Sequence, residues 1–209
     1  MQWISEYSSA LNFFVNLGML LAWVAYLHLF LVTYMRARRP RIIINRVSGS
    51  DLNGLCLLSN MSQEPVYAQN VYCTIHRASG DLSATITDRE ILQRSAEGDR
   101  PDGVTANGPL NRGEFMTLGS FRNLLDITAE QAEDYDGSGI PDDVERFQIM
   151  VVGAFGGDDL EVAAQREFRV DRSSDPWQVV PVSPQTRQIS SRSERKRIRQ
   201  MIKSELEQV

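Results

Sequence analysis

Histidine and cysteine are scarce: each occurs twice in 209 residues, as His28 and His76 and as Cys56 and Cys73. The cysteines stand 17 positions apart with no histidine at ligand spacing, which is not a zinc pattern. Also absent are a Gly-rich phosphate loop, a Gly-x-Ser-x-Gly elbow, a His-Glu-x-x-His helix and a Cys-x-x-Cys pair. With one of the two histidines inside an apolar run, acid-base chemistry would fall on carboxylates alone. The expectation is a protein that is not an enzyme. The most telling absence is of charge: Leu11 to Tyr34 contains no Asp, Glu, Lys or Arg. At 1.5 Å rise per residue that run covers about 36 Å, enough to cross a hydrocarbon core of about 30 Å with some tilt. Residues 11–35 therefore read as a transmembrane helix.

The run stops at Arg36, Arg38, Arg39 and Arg41, and Arg46 follows, whereas only the amino terminus and Glu6 are charged before it. Cationic flanks stay on the cytoplasmic side, so residues 1–10 face out and the body faces in. A cleaved signal peptide has the opposite order, with charges first and small residues at its cleavage site. The span is expected to remain on the mature protein. Trp3 and Tyr34 suit the bilayer interfaces, while Trp23 and Tyr26 lie deeper and face lipid or another helix. Asn12 and Asn16 are one helical turn apart, and Gly18 with Ala22 forms a small-x-x-x-small pair. Together they predict helix association, the alternative being that the two asparagines are simply hydrated in the outer leaflet. His28 lies toward the inner boundary.

Charge divides sharply along the chain. Residues 36–46, the basic juxtamembrane segment and first strand, carry +5; residues 47–186 hold 10 Arg against 23 Asp plus Glu; residues 187–209 carry +4. An acidic body between basic flanks does not suit nucleic acid. In a cytoplasmic domain Cys56 and Cys73 would be reduced, small apolar side chains; with the opposite topology, a bridge between neighbouring strands becomes an option.

Short β-branched or apolar runs between turn residues, alternating most clearly in 66–76 and 160–170, predict strands over 41–47, 53–60, 66–76, 82–87, 114–121, 148–155 and 160–170. A one-residue slip near Asn70 predicts a β-bulge. Gly156-Gly157-Asp158-Asp159 reads as a hairpin turn, and 94–112 as a loop. The fold expected for 47–175 is an all-β antiparallel sandwich. Cys56-Leu57-Leu58-Ser59-Asn60-Met61-Ser62-Gln63-Glu64-Pro65-Val66-Tyr67 resembles the opening of bacterial immunoglobulin-like domains, where an Asn ends one strand and a Pro starts the next. That resemblance covers a dozen residues; it implies an immunoglobulin-like sandwich, in keeping with a bacterial inner membrane, and no activity. The Trp between paired cysteines of antibody domains is missing.

Residues 134–145 follow the pattern of a twelve-residue calcium loop. Asp134, Asp136 and Ser138 fall at positions one, three and five, Gly139 at the sharp turn, Ile140 at the backbone-carbonyl position, Asp142 at the water-bearing position and Glu145 at the bidentate close. The stretch resembles the calcium loops of EF-hand and thrombospondin-type repeats, the Gly-Ile-Pro-Asp turn being nearer the second. The resemblance implies calcium as a cofactor. Against it, Ile127 to Glu133 supplies a short helix before the loop, but a strand follows it, and the loop has no paired copy. In a compartment of low resting calcium it would be a sensor or a vestige; the alternative is a reversed topology.

Residues 176–192 read as an extended linker. From Ser193 to Val209, Ile198, Ile202, Leu206 and Val209 fall on one helical stripe, with Arg195, Lys196, Arg197 and Arg199 crowding the first turns. Three roles stay open for this basic helix: packing on its own domain, lying on anionic lipid beside Arg36, Arg38, Arg39 and Arg41, or associating with a partner. The expected function is a non-enzymatic membrane-anchored scaffold or accessory subunit, binding lipid and either itself or a membrane protein partner, with no small-molecule substrate. Alternatives are a tethered calcium sensor and, less favoured, a small homo-oligomeric channel.

Overall fold

The computed structural model describes residues 2–37, 39–86, 107–131, 137, 139–156 and 161–206. Two compact units divide the chain, residues 1–39 and 40–209. The first is helix α1 (Gln2–Ala37), and Leu11–Met35 within it is long and apolar enough to cross a membrane. None of that span is buried inside the protein. A core helix of a soluble domain would be mostly covered; this one leaves its apolar side chains exposed.

The second unit is a body of two antiparallel sheets on one hydrophobic core. Strands β1 (Ile42–Val47), β2 (Leu55–Asn60) and β6 (Phe115–Ser120) form the smaller sheet, with β2 central. The larger contains β3 (Val66–Arg77), β4 (Leu82–Ile86), β7 (Val144–Phe155), β8 (Val162–Asp171) and β10 (Arg187–Ile189) in the order β10-β8-β7-β3-β4. Two short strands complete it: β5 (Gly108–Leu110) pairs β3, and β9 (Gln178–Pro181) pairs β8.

Period-two alternation decides which side chains meet between the sheets. Ile42, Ile44, Cys56, Leu58 and Met116 of the smaller sheet face Val66, Ala68, Val71, Cys73 and Ile75 of β3. The slip expected near Asn70 is a bulge: Ala68 pairs Gly153 and Asn70 pairs Val152, leaving Gln69 as the extra residue. A side chain at Gly153 would put its Cβ 2.4 Å from the Tyr67 carbonyl oxygen, so only glycine permits that approach. Phe121, Phe147 and Phe168 meet at the centre with ring centroids 5.0 to 5.6 Å apart. Cys56 and Cys73 are free and buried, and they lie on strands of different sheets instead of neighbours in one ladder. Loss of hydration pushes the Cys73 thiol up to about 12 and the Cys56 thiol higher still.

Several elements differ from expectation. The predicted strand over 114–121 ends at Ser120, and helix α2 (Phe121–Glu130) begins at once instead of near Ile127. The Ser120 hydroxyl accepts from the Asn123 N–H at 3.2 Å, capping the helix start. Phe121, Leu124, Leu125 and Thr128 then form its buried stripe. The segment 176–192 is not a plain linker, because it holds β9 and β10. Residues 108–110 of the predicted loop are β5; positions 94–106 and the turn residues 157–159 lie outside the described residues. Edge strand β1 is closed by side chains instead of a further strand. The Ile42 and Ile44 N–H groups donate to Gln188 Oε1 and Thr186 Oγ1, both at 3.0 Å, while Gln188 Nε2 donates to the Ile42 carbonyl at 2.5 Å. Such cover removes the unpaired row that makes an edge aggregation-prone.

Candidate functional site

Because α1 is one continuous helix, each residue turns about 100° from the last, which tests the expected association stripe. Asn12 and Asn16 share a face, but Gly18 and Ala22 lie about 120° away around the axis. The four do not form one stripe. Instead, Asn12, Asn16, Met19, Trp23, Tyr26 and Phe30 follow an alternating four-three spacing within one arc of about 80°. Trp23 and Tyr26 touch edge to face at 6.2 Å between centroids, and all six side chains are exposed. Apart from His28, the remaining surface of the span between residues 11 and 32 is aliphatic, phenylalanine or small. Met19, Trp23, Tyr26 and Phe30 are legible in the sequence as a four-three repeat; reading the aromatics one at a time conceals it.

At the end of the body opposite Ile42, the calcium-like loop meets an open cavity of about 360 Å³ lined by Leu52, Arg122, Asp126, Ile140, Asp175 and Trp177. Asp134, Asp136 and Ser138 lie outside the described residues. Of the remaining predicted ligands, Ile140 packs its side chain against the main core, and Asp142 and Glu145 are exposed. Glu145 is the extra residue of a second bulge in the β3-β7 pairing, this one on β7, between Val144, paired to Arg77, and Arg146, paired to His76. Gly137 and Gly139 both adopt φ of 84°, the left-handed conformation that tight loops require. Asp143 is held by the Ser79 hydroxyl at 2.8 Å, a bond that keeps its carboxyl below the usual range. Among the described residues no three His, Cys, Asp or Glu side chains converge on a point.

The carboxyl-terminal helix, α3 (Arg192–Leu206), packs on its own domain. Ile198, Met201 and Ile202 cover Tyr72, Met150, Val152 and Ala163 on the outer face of the larger sheet. Two of the predicted lipid contacts are spent here: Arg195 Nε donates to the Glu161 carbonyl at 2.6 Å, and Arg199 Nε donates to both Glu161 carboxylate oxygens at 3.1 and 2.8 Å. Lys196 and Arg197 remain exposed, as do Arg39 and Arg41. Arg36 belongs to α1, and Arg38 lies outside the described residues. Desolvation raises the Glu161 pKa, but hydrogen bonding and charge from Arg199 outweigh it, and the net shift is downward. A depressed carboxylate contributes stability above its unfolded pKa and loses it as pH falls through the folded one. Acidification should therefore loosen α3 only below about pH 4.5, read as lost helical circular dichroism, with no change between neutrality and that point. Glu161→Gln should loosen it at pH 7, read as faster tryptic cleavage after Arg195 to Arg199 in the full chain.

Arg166 is the one buried arginine among the described residues, and it stands on the apolar row Val162, Ala164, Arg166, Phe168, Val170 of β8. Its Nη1 donates to the Ile44 carbonyl at 2.6 Å and to Asn45 Oδ1 at 3.1 Å; Nη2 reaches the Ser183 and Pro184 carbonyls at 3.3 and 3.4 Å. The guanidinium thus ties the larger sheet to β1. No carboxylate pairs with it among the described residues, Nε has no partner, and desolvation lowers its pKa. It is placed to hold the fold. No family model, curated protein or solved structure matches this chain.

Proposed function

We propose that the chain is a non-enzymatic, membrane-anchored scaffold or accessory subunit that self-associates through α1 and presents an immunoglobulin-like sandwich to the cytoplasm. The carrying observation is the stripe Asn12, Asn16, Met19, Trp23, Tyr26 and Phe30 on an apolar span, with all six side chains exposed among the described residues. An asparagine amide has both donors and an acceptor, so it complements a copy of itself. Copies of one chain share orientation and depth in a bilayer, which brings Asn12 to Asn12 and Asn16 to Asn16. Four-three spacing is the repeat that seats side chains along a left-handed helix pair. The arginines after the span support the cytoplasmic placement of the body. The scarcity of histidine and nucleophile motifs supports a binding role over a catalytic one.

Cysteine scanning in native membranes tests this. Met19→Cys, Trp23→Cys and Phe30→Cys should give oxidised dimers, whereas Leu21→Cys and Val24→Cys should not. Asn12→Leu with Asn16→Leu should weaken association by about 1 kcal/mol for each amide lost, roughly a tenfold or greater combined effect. Equal crosslinking at every position would refute a specific helix pair.

A second reading, a tethered calcium sensor, is favoured by the left-handed Gly137 and Gly139 inside the twelve-residue acidic pattern. Calcium titration of the full chain in detergent decides it. A rise in melting temperature below millimolar calcium, lost in Glu145→Gln, supports the sensor; no heat and no shift remove it.

A further inference from the structure

Alternation along β1 and β2 also defines an outer face on the smaller sheet, where Asn45 and Phe115 are exposed, Ile43, Leu57 and Thr117 are half-buried and Ser59 is buried. Ile43, Ser59 and Phe115 share one row, and Asn45, Leu57 and Thr117 the next. The Met61 N–H donates to the Arg41 carbonyl at 2.8 Å, which extends the β1-β2 pairing by one residue and puts Arg41 and Met61 on the same outer face. Met61 is 53% exposed and Phe115 67% exposed, unusually open for large apolar side chains in the body. Arg112, in the turn joining β5 to β6, is exposed beside them, its neighbour Gly113 donating to the Asn60 carbonyl at 2.8 Å. The acidic neighbour, Glu114, is occupied in closing that turn, accepting from Asn111 N at 2.8 Å and Nδ2 at 3.0 Å.

We propose that Arg41, Met61, Arg112 and Phe115 form a lipid-docking surface, the two apolar side chains entering the headgroup and acyl boundary and the two guanidinium groups binding lipid phosphate. This rests on the reading of α1 as a membrane anchor. Ile42 is seven residues beyond Met35, where the span ends, so chain length alone keeps it within about 25 Å of that boundary. The patch occupies the end of the smaller sheet at which β1 begins, so the same short tether delivers it to the interface. Apolar side chains rimmed by arginine match the interface in chemistry as well as position, since apolar burial and attraction to anionic lipid add together. A second copy of the chain would bring four guanidinium groups into one twofold contact, a like-charge crowding that disfavours it as the occupant.

The full chain, reconstituted in vesicles of phosphatidylcholine and phosphatidylglycerol, is labelled with an environment-sensitive fluorophore at Met61→Cys, Phe115→Cys or Ala78→Cys. Ala78 is exposed in the β3-β4 turn at the far end of β3, and the native thiols are buried. Labels at 61 and 115 should shift to the blue and lose most of their emission to doxyl lipid, while the label at 78 responds to aqueous iodide. Arg41→Glu with Arg112→Glu should reduce the lipid quenching at 61 and 115 without changing the circular dichroism of the chain. Iodide quenching at all three positions overturns the proposal. So does shielding from both quenchers that disappears on dilution with excess lipid, which would mark a contact between copies. A chain that fails to float with the vesicles would instead refute the anchor.

Discussion

Arg166→Ala should cost the body about 2 to 5 kcal/mol through lost packing and hydrogen bonds, a large share of the roughly 5–15 kcal/mol that holds a domain together. The truncation removes charge-assisted donors from the Ile44, Ser183 and Pro184 carbonyls and empties the space between β1 and β8. The Ile44 carbonyl keeps one donor, Thr186 Oγ1 at 3.1 Å, so the loss falls mainly on the 183–184 turn and on packing against Phe168. Arg166→Met separates the two causes. It restores volume without a charge to desolvate, and replacement of a buried ion by an apolar side chain of like size is often neutral or stabilising. Denaturant titration of both variants should give the methionine substitution a midpoint well above that of the alanine substitution; equal losses would mean that the hydrogen bonds outweigh the packing.

The other large effect concerns α1. Leu21→Arg with Val24→Arg sets two charges near the centre of the span, away from the Asn12 to Phe30 stripe. Each costs about 2.5 to 3.5 kcal/mol in helix insertion, roughly 5 to 7 together, or more than about a thousandfold in partition. The doubly substituted chain should leave the membrane pellet under alkaline carbonate extraction, where the unaltered chain stays. The Leu21→Ala, Val24→Ala control keeps the span apolar and should remain in the pellet.

What can be read from the sequence follows how local the cause is. The strands β3 and β8 are legible because each shows its own alternation, β1 and β2 because short β-branched or apolar runs stand between turn residues, and even the Asn70 slip survives as the Gln69 bulge. The place of Arg166 on an apolar row is visible too; its partners are not, because Ile44 and Ser183 come from distant segments that only the fold assembles. Strands β5, β9 and β10 have three or four residues each, and their pairing is owed to β3 and β8 instead of their own composition. The start of α2 is hidden because Phe121 satisfies the strand pattern before it and the helix stripe after it; the Ser120 cap decides between them. In the candidate association site, the two asparagines stand out in the sequence but their companions do not. Gly18 and Ala22 match only in their spacing to each other, whereas the helical turn joins the asparagines to Met19, Trp23, Tyr26 and Phe30. Half of the calcium pattern lies outside the described residues, and its described half ends on an exposed strand bulge at Glu145.

The placement of the acidic body is tested most directly by a small epitope tag fused after Val209, probed in sealed cells with an impermeant antibody. The arginines at 36, 38, 39 and 41 predict a tag that is silent until the membrane is permeabilised. A tag bound in intact cells would put the two-sheet body outside, reverse the assignment of thiol state and calcium supply, and contradict a cytoplasmic scaffold.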